Sequence, residues 1–160
     1  MSLGYVLTIT DANGSVIELA SKEGVGTGDD ILSASFKSNT LNNDVTSRAN
    51  DVRAEIKIIG KISESSYKDT TELAKWSNIS DSKLQYRTIK LKIYTTNSCD
   101  ILLRSYEIEE MFVLDYDEIF DHESSGNSEL ANIKAVNTAG LFILHAVQRN
   151  GPYNLYVESE

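Results

Sequence analysis

Two alternating runs, Tyr5-Val6-Leu7-Thr8-Ile9-Thr10 and Ser15-Val16-Ile17-Glu18-Leu19-Ala20, flank the segment Asp11-Ala12-Asn13-Gly14. Asn-Gly between alternating runs is the strongest short-range hairpin signal, because both residues tolerate the positive φ of a tight turn. The chain therefore opens as a β-hairpin over residues 5–20. The same pattern governs most of the remaining chain: Ile, Val, Thr and Tyr gather in short runs, and Asn, Asp, Ser and Gly separate them. Ile31–Phe36 reads as a strand with Ile31, Ser33 and Ser35 on one face and Leu32, Ala34 and Phe36 on the other. Val52–Ile62 places Val52, Ala54, Ile56 and Ile58 on one side, with Gly60 and Ile62 continuing that face, and Arg53, Glu55, Lys57, Ile59 and Lys61 on the other. Tyr86–Thr95 sets Ile89, Leu91 and Ile93 against Thr88, Lys90 and Lys92. Ile101–Ser105 comes next, then Tyr106–Phe120, long enough for two strands joined by a bend. Leu141–Gln148 is the last strong strand, and Tyr153–Val157 adds a short edge strand after the Gly151-Pro152 turn.

The one helix expected spans Thr70 to Trp76 and reaches toward Asn78. Asp69 or Thr70 would cap it, and Glu72 in its first turn suits the helix dipole. Leu73, Trp76 and Ile79 share one side, and so short a helix needs that side packed on a sheet. Ser38–Asp51, rich in Asn, reads as a long loop of the kind that often makes contacts.

At 160 residues, with 41% apolar and 24% charged residues, the chain can bury one core without staples. A single domain over residues 1–160 is expected, with its core at about 30–148, the hairpin at 5–20 and a tail at 151–160. The single proline, Pro152, leaves no proline-rich linker. A net charge of −9 opposes stable nucleic-acid binding, which depends on cations that neutralise phosphates. The same charge gains nothing at an anionic membrane surface. Cys99 is the sole cysteine, so no internal disulfide is expected, and Asp100 beside it disfavours a thiolate. Met1-Ser2-Leu3-Gly4 is too short and polar for a signal peptide, and no stretch has membrane-spanning length. A cytoplasmic chain is the expectation, with export by a dedicated machine leaving no such trace.

No catalytic, cofactor-binding or metal site is expected from the motifs. Gly24-Val25-Gly26-Thr27-Gly28-Asp29-Asp30 has alternate glycines, but no Gly-Lys-Ser/Thr comes after it and a strand is next, so it reads as a connector. Glu107, Glu109, Glu110, Asp115, Asp117, Glu118, Asp121 and Glu123 form the densest acidic cluster. Asp115-Tyr116-Asp117-Glu118 lacks the glycine of a calcium loop, and a solvated strand face is the simpler reading. His122 and His145 belong to no His-Glu-x-x-His pair, and no Gly-x-Ser-x-Gly elbow occurs. Trp76 with Tyr86, Tyr94, Tyr106 and Tyr116 would make a stacking platform for bases, but core and sheet packing fits an acidic chain better.

The order of these elements carries a resemblance. Asp30–Phe36 and Asp51–Ile58 lead into the helix Thr71-Glu72-Leu73-Ala74-Lys75-Trp76. Tyr86–Ile93, the long Tyr106–Phe120 and Gly140–Val147 then close the series. This series resembles the tail-tube barrel of contractile phages and of type VI secretion tubes, the haemolysin-coregulated protein family, over residues 30 to 148. The resemblance implies a mainly β fold, a two-sheet, partly closed β-barrel with one short α-helix. It also implies a structural subunit that self-associates into hexameric rings and meets other tail or baseplate proteins. Such a subunit is cytoplasmic before assembly and then part of a virion-like or exported particle. Exposed sheet edges would pair with neighbours to close the ring, and an acidic lumen would let DNA or acidic cargo slide. Ser38–Asp51 falls where the family carries a ring-stacking hairpin. The chain is also similar to small phage-like proteins labelled as membrane-associated proteases, but it shows neither a protease motif nor a membrane segment. The rival readings are a small β-barrel hydrolase or metal enzyme using carboxylates of Glu107–Glu123, and a monomeric carbohydrate- or protein-binding module.

Overall fold

A computed structural model describes residues 3–20, 30–40, 52–95, 101–120 and 140–160. Its eight strands, in chain order, are β1 Leu3–Thr10, β2 Val16–Ala20, β3 Ile31–Thr40, β4 Val52–Ile62, β5 Arg87–Thr95, β6 Leu102–Ile119, β7 Gly140–Gln148 and β8 Leu155–Glu158. Helix α1, Tyr67–Ser77, and the single turn α2, Ser82–Gln85, lie between β4 and β5.

The hairpin forms as its sequence dictates. Thr10 opposes Val16 and Leu7 opposes Leu19. The Asp11 carboxylate accepts the Asn13 and Ser15 amides at 2.8 and 2.9 Å, and Gly14 takes a φ of 85° that a side chain would resist.

The strands form one antiparallel sheet in the order β2-β1-β5-β6-β7-β4-β3, with β8 pairing β6 beside that path. The mainly β expectation holds, but its two sheets are in fact one continuous ladder. The reason is β6. Ile101–Ser105 and Tyr106–Phe120 do not break into separate strands, and a single 18-residue strand carries the pairing from β5 across to β7. No pairing joins β2 to β3 among the described residues, so the ladder stays open.

The sheet nevertheless folds over itself. Phe36 of β3 stacks on Tyr106 of β6 with ring centroids 4.4 Å apart. Three strand spacings separate β3 from β6 along the ladder, about 14 Å if the sheet were flat. The fold-over encloses the larger of two apolar clusters, where Leu7 and Ile9, Ile17 and Leu19, Ile56 and Ile58, Ile89 and Leu91, Ile108 and Met111, and Phe142 and Leu144 all meet; Ile59, Leu141 and Ile143 form a second, smaller one with Leu32 and Ile119. Each such side chain contributes roughly 1.5–3 kcal/mol by leaving water. In β4 and β5 the buried face is the one that alternation predicts. In β3 it is not quite: a bulge between Ile31 and Ser33 shifts the register, so Ile31 packs on the same core as Ala34 and Phe36. That strand also continues to Thr40, past the Phe36 expected, while residues 41–51 of the expected loop lie outside the described residues.

The helix starts at Tyr67, three residues before the Thr70 expected. Neither Asp69 nor Thr70 caps it, and Thr70 instead sits in the first turn with its hydroxyl donating to Ser66 O at 2.9 Å. Leu73 and Trp76 are buried and Ile79 packs beside them, as their spacing predicts. The Trp76 indole donates to Gln85 O at 2.9 Å. Arg87, only 9% exposed, lays its guanidinium over that indole at 5.2 Å and donates from Nε to Leu84 O at 3.2 Å. Burial lowers the Arg87 pKa, and the charges of Asp11 and Glu72 oppose the shift. Helix and sheet are thus joined by packing plus a cation–π contact.

Trp76→Ala should destabilise the fold by about 3–5 kcal/mol, the cost of emptying so large a buried site. Equilibrium urea unfolding measures it, and a loss under about 1 kcal/mol would mean that α1 is not anchored through this residue.

Candidate assembly surface

Strand alternation disperses the groups that chemistry could use. Glu107 lies 3.8 Å from Lys90 Nζ, and Glu110 lies 3.5 Å from Arg149 Nη1. Glu109 accepts from Asn154 Nδ2 at 3.0 Å, and Glu118 accepts the Tyr116 hydroxyl at 2.8 Å. Asp115 opposes His145 and Asp117 opposes Ile143 across the β6–β7 ladder. The acidic run therefore meets several different segments instead of converging on one point. Among the described residues no three His, Cys, Asp or Glu side chains come together as a metal site. Cys99, His122, Asp121, Glu123 and the glycine segment 24–29 lie outside the described residues.

His145 is half-buried on the outward face of β7, with Nε2 3.8 Å from Glu55 Oε2. Lys57 opposes it from β4 and Asp115 from β6, so it sits in a row of polar and charged side chains across the sheet. The aromatic residues are likewise spread out. Trp76 is core, Tyr106 stacks on Phe36, Tyr116 stacks on Phe142, and Tyr86 meets Phe112 edge to face at 6.0 Å.

Two core-facing bulges of β6 escaped sequence reasoning, as did a further register shift where Ile93 and Tyr94 of β5 oppose Arg104 and Leu102. Arg87 opposes Met111 while Ile89 opposes Ile108, which leaves an extra β6 residue and puts Glu110 at φ 58°. A second bulge falls between Val113 and Asp115. Together they keep Ile108, Met111, Val113 and Tyr116 all against the core. Gln148, 4% exposed, closes the first bulge by donating Nε2 to Glu109 O and Asn154 O, each at 3.0 Å. The only sequence signal was the unusual length of the alternating run.

The described surface offers sheet edges and scattered apolar side chains. β2 and β3 end the ladder, and each lacks a second partner strand among the described residues. Val16 is exposed on β2, Leu103 and Ile101 near the start of β6, Tyr156 and Val157 on β8, and Leu114 and Phe120 toward the end of β6. A shallow groove beside β8 is lined by Ser105, Glu107, Tyr156 and Glu158. The arrangement as a whole superposes on solved structures. Hcp1 from Flavobacterium johnsoniae superposes with a TM-score of 0.51 at 15% identity, covering 97% of this chain and 96% of that one. A further Hcp protein superposes with a TM-score of 0.53 at 10% identity, covering 99% and 98%. The chain has the Hcp fold.

No protein-family model matches the sequence, and no curated protein matches it. The Hcp likeness is thus carried by the backbone, and it spans the N-terminal hairpin and β8 as well as the strands between them. Among the described residues, no helix of this Hcp fold is long and apolar enough to cross a membrane.

Tyr116 gives the Hcp fold a titration signature. Burial pushes its phenol far above the ordinary range, and the Glu118 hydrogen bond and charge push the same way. The folded chain holds the proton where the unfolded chain releases it, so stability is full below about pH 10 and falls as pH rises beyond. Tyr116→Phe should remove part of that fall while keeping the Phe142 stack. Urea midpoints of the two proteins from neutral pH to about pH 11 test it, and parallel curves would disprove the assignment.

Proposed function

We propose that this chain is a structural subunit of a tube of the phage-tail or contractile-injection type. Copies close into a homo-oligomeric, hexameric ring, and rings stack. The observation that carries this reading is the Hcp fold across almost the whole length of the chain. Three further features support it. The ladder ends in β2 and β3, whose outer sides have no strand partner among the described residues. Free edges invite pairing with another chain, and a head-to-tail contact that closes on itself makes a ring without leaving an edge exposed. Exposed Val16 lies on one of those edge strands. Finally, the net charge of −9 suits a conduit whose wall must not hold anionic cargo.

On this reading the subunit is one β domain, its working parts are edges and apolar contacts, and it carries out no catalysis. Its partners are further copies of itself and other tail or baseplate proteins. It resides in the cytoplasm until assembly places it in an exported or virion-like particle.

Light scattering on a size-exclusion column, followed by negative-stain imaging of the peak, decides the matter. The expected result is a mass several times that of the subunit and ring-shaped particles with six-fold symmetry. A monomer at every concentration and salt tested would overturn the ring.

A further inference from the structure

β7 and β8 lie along the same edge of β6. Met111 pairs with Arg87 of β5 on one side and Gln148 of β7 on the other, and Ile108 pairs with Ile89 on one side and Leu155 of β8 on the other. Residues 149–154 leave this line between the two strands, opposite the bulge at Glu109 and Glu110. Within that excursion Gly151 adopts φ 138°, Tyr153 N donates back to Gly151 O at 2.9 Å, and Pro152 bars a regular ladder.

Beyond the excursion the chain makes a compact set of contacts with one partner. Ser105 opposes Glu158, Tyr106 opposes Val157 and Glu107 opposes Tyr156. Glu160 N donates to Leu102 O at 3.0 Å, and Leu102 N donates to the Glu160 carboxylate at 2.8 Å. At the last residue of the excursion, Asn154 holds Glu109. All these contacts are made with β6. Little apolar surface is buried in making them: Leu155 reaches the core, whereas Tyr156 and Val157 are 48% and 49% exposed.

We propose that residues 155–160 are exchanged between neighbouring copies, so that β8 of one subunit completes the β6 edge of the next. The exchange rests on the ring reading above. Its physical basis is that a swap recreates each β8–β6 contact of residues 155–160 unchanged, so that its cost falls on the hinge at 149–154, where contacts such as Arg149 N to Glu110 O must hold or re-form. The backbone conformation that the compact form imposes on Gly151 is released when the hinge extends. A segment that pairs with one strand and leaves Tyr156 and Val157 half-exposed has a small cost of release, and its edge pairing is sequence-matched to the identical edge of a second copy.

The test uses full-length chains with Cys99→Ser. Ser105→Cys and Glu158→Cys are introduced in separate, differently tagged subunits, which are co-expressed and oxidised. The double variant in one chain shows whether the pair closes by direct oxidation or needs a short bis-maleimide. Exchange predicts a covalent heterodimer of the two tagged chains in the oligomer peak, with the double variant giving covalent multimers. Closure of the double variant within single chains, with no heterodimer from the mixture, would overturn it. Light scattering on the same samples separates the two ideas. A ring with only intrachain closure ends the exchange and keeps the ring, and a covalent pair without a ring does the reverse.

Discussion

Backbone pairing along β6 must satisfy three partners at once, with β5 on one edge and β7 and β8 on the other. A regular strand of that length would twist steadily and send alternate residues to opposite faces throughout. The partners, however, approach from two walls of a folded sheet, and the core has to be met from both. The bulges at Glu110 and between Val113 and Asp115 resolve this conflict by inserting a residue where the demanded face changes. Glu110 accepts a left-handed backbone as the local cost, and its carbonyl is taken up by the Arg149 amide at 2.9 Å. A bulge that freed carbonyls inside the protein without such donors would cost roughly 1–3 kcal/mol for each group left unpaired. Gln148 and Arg149 therefore matter to the whole sheet, although neither belongs to the apolar core.

The helix answers a different need. β5 begins at Arg87, opposite Met111, while β6 runs on to Ile119, so the ladder is wider at one end than at the other. α1 packs Leu73 and Trp76 into the core at this end, and the Tyr116 hydroxyl lies 3.4 Å from Thr70 O. An apolar plug with polar anchors at its rim keeps water from a core that the open ladder cannot seal alone. The outward faces remain rich in charge of both signs, as in the row Lys57, His145 and Asp115. Such pairs add little stability at a surface, but they keep the walls hydrated.

How much of this was legible depended on the range of the interactions involved. The hairpin was readable because Asn13-Gly14 and the flanking alternation act over a few residues. The core faces of β4 and β5 were readable for the same reason. Leu73 and Trp76 disclosed the buried side of α1, but its start did not show, because Ser66 caps it without a side-chain hydrogen bond to the helix. The unity of β6 was hidden because its bulges are set by partners distant in sequence, which no local propensity encodes. The short helix α2 carries no buried residue and so left no periodic trace. The acidic run looked like one feature in sequence and proved to be several, since alternation and bulging separate its members. Element order, by contrast, pointed to the right backbone even where individual boundaries were off.

The loop between β7 and β8 also has a mechanical meaning. Tension on the C-terminus meets the four-residue pairing of β8 before it meets the nine-residue β7. Once β8 peels away, residues 149–154 can straighten to a span of at most about 20 Å, part of which they already bridge, before load reaches β7. β7 would stay paired during that travel, and residues 155–160 would behave as a tether with slack, able to re-zip when the pull ends.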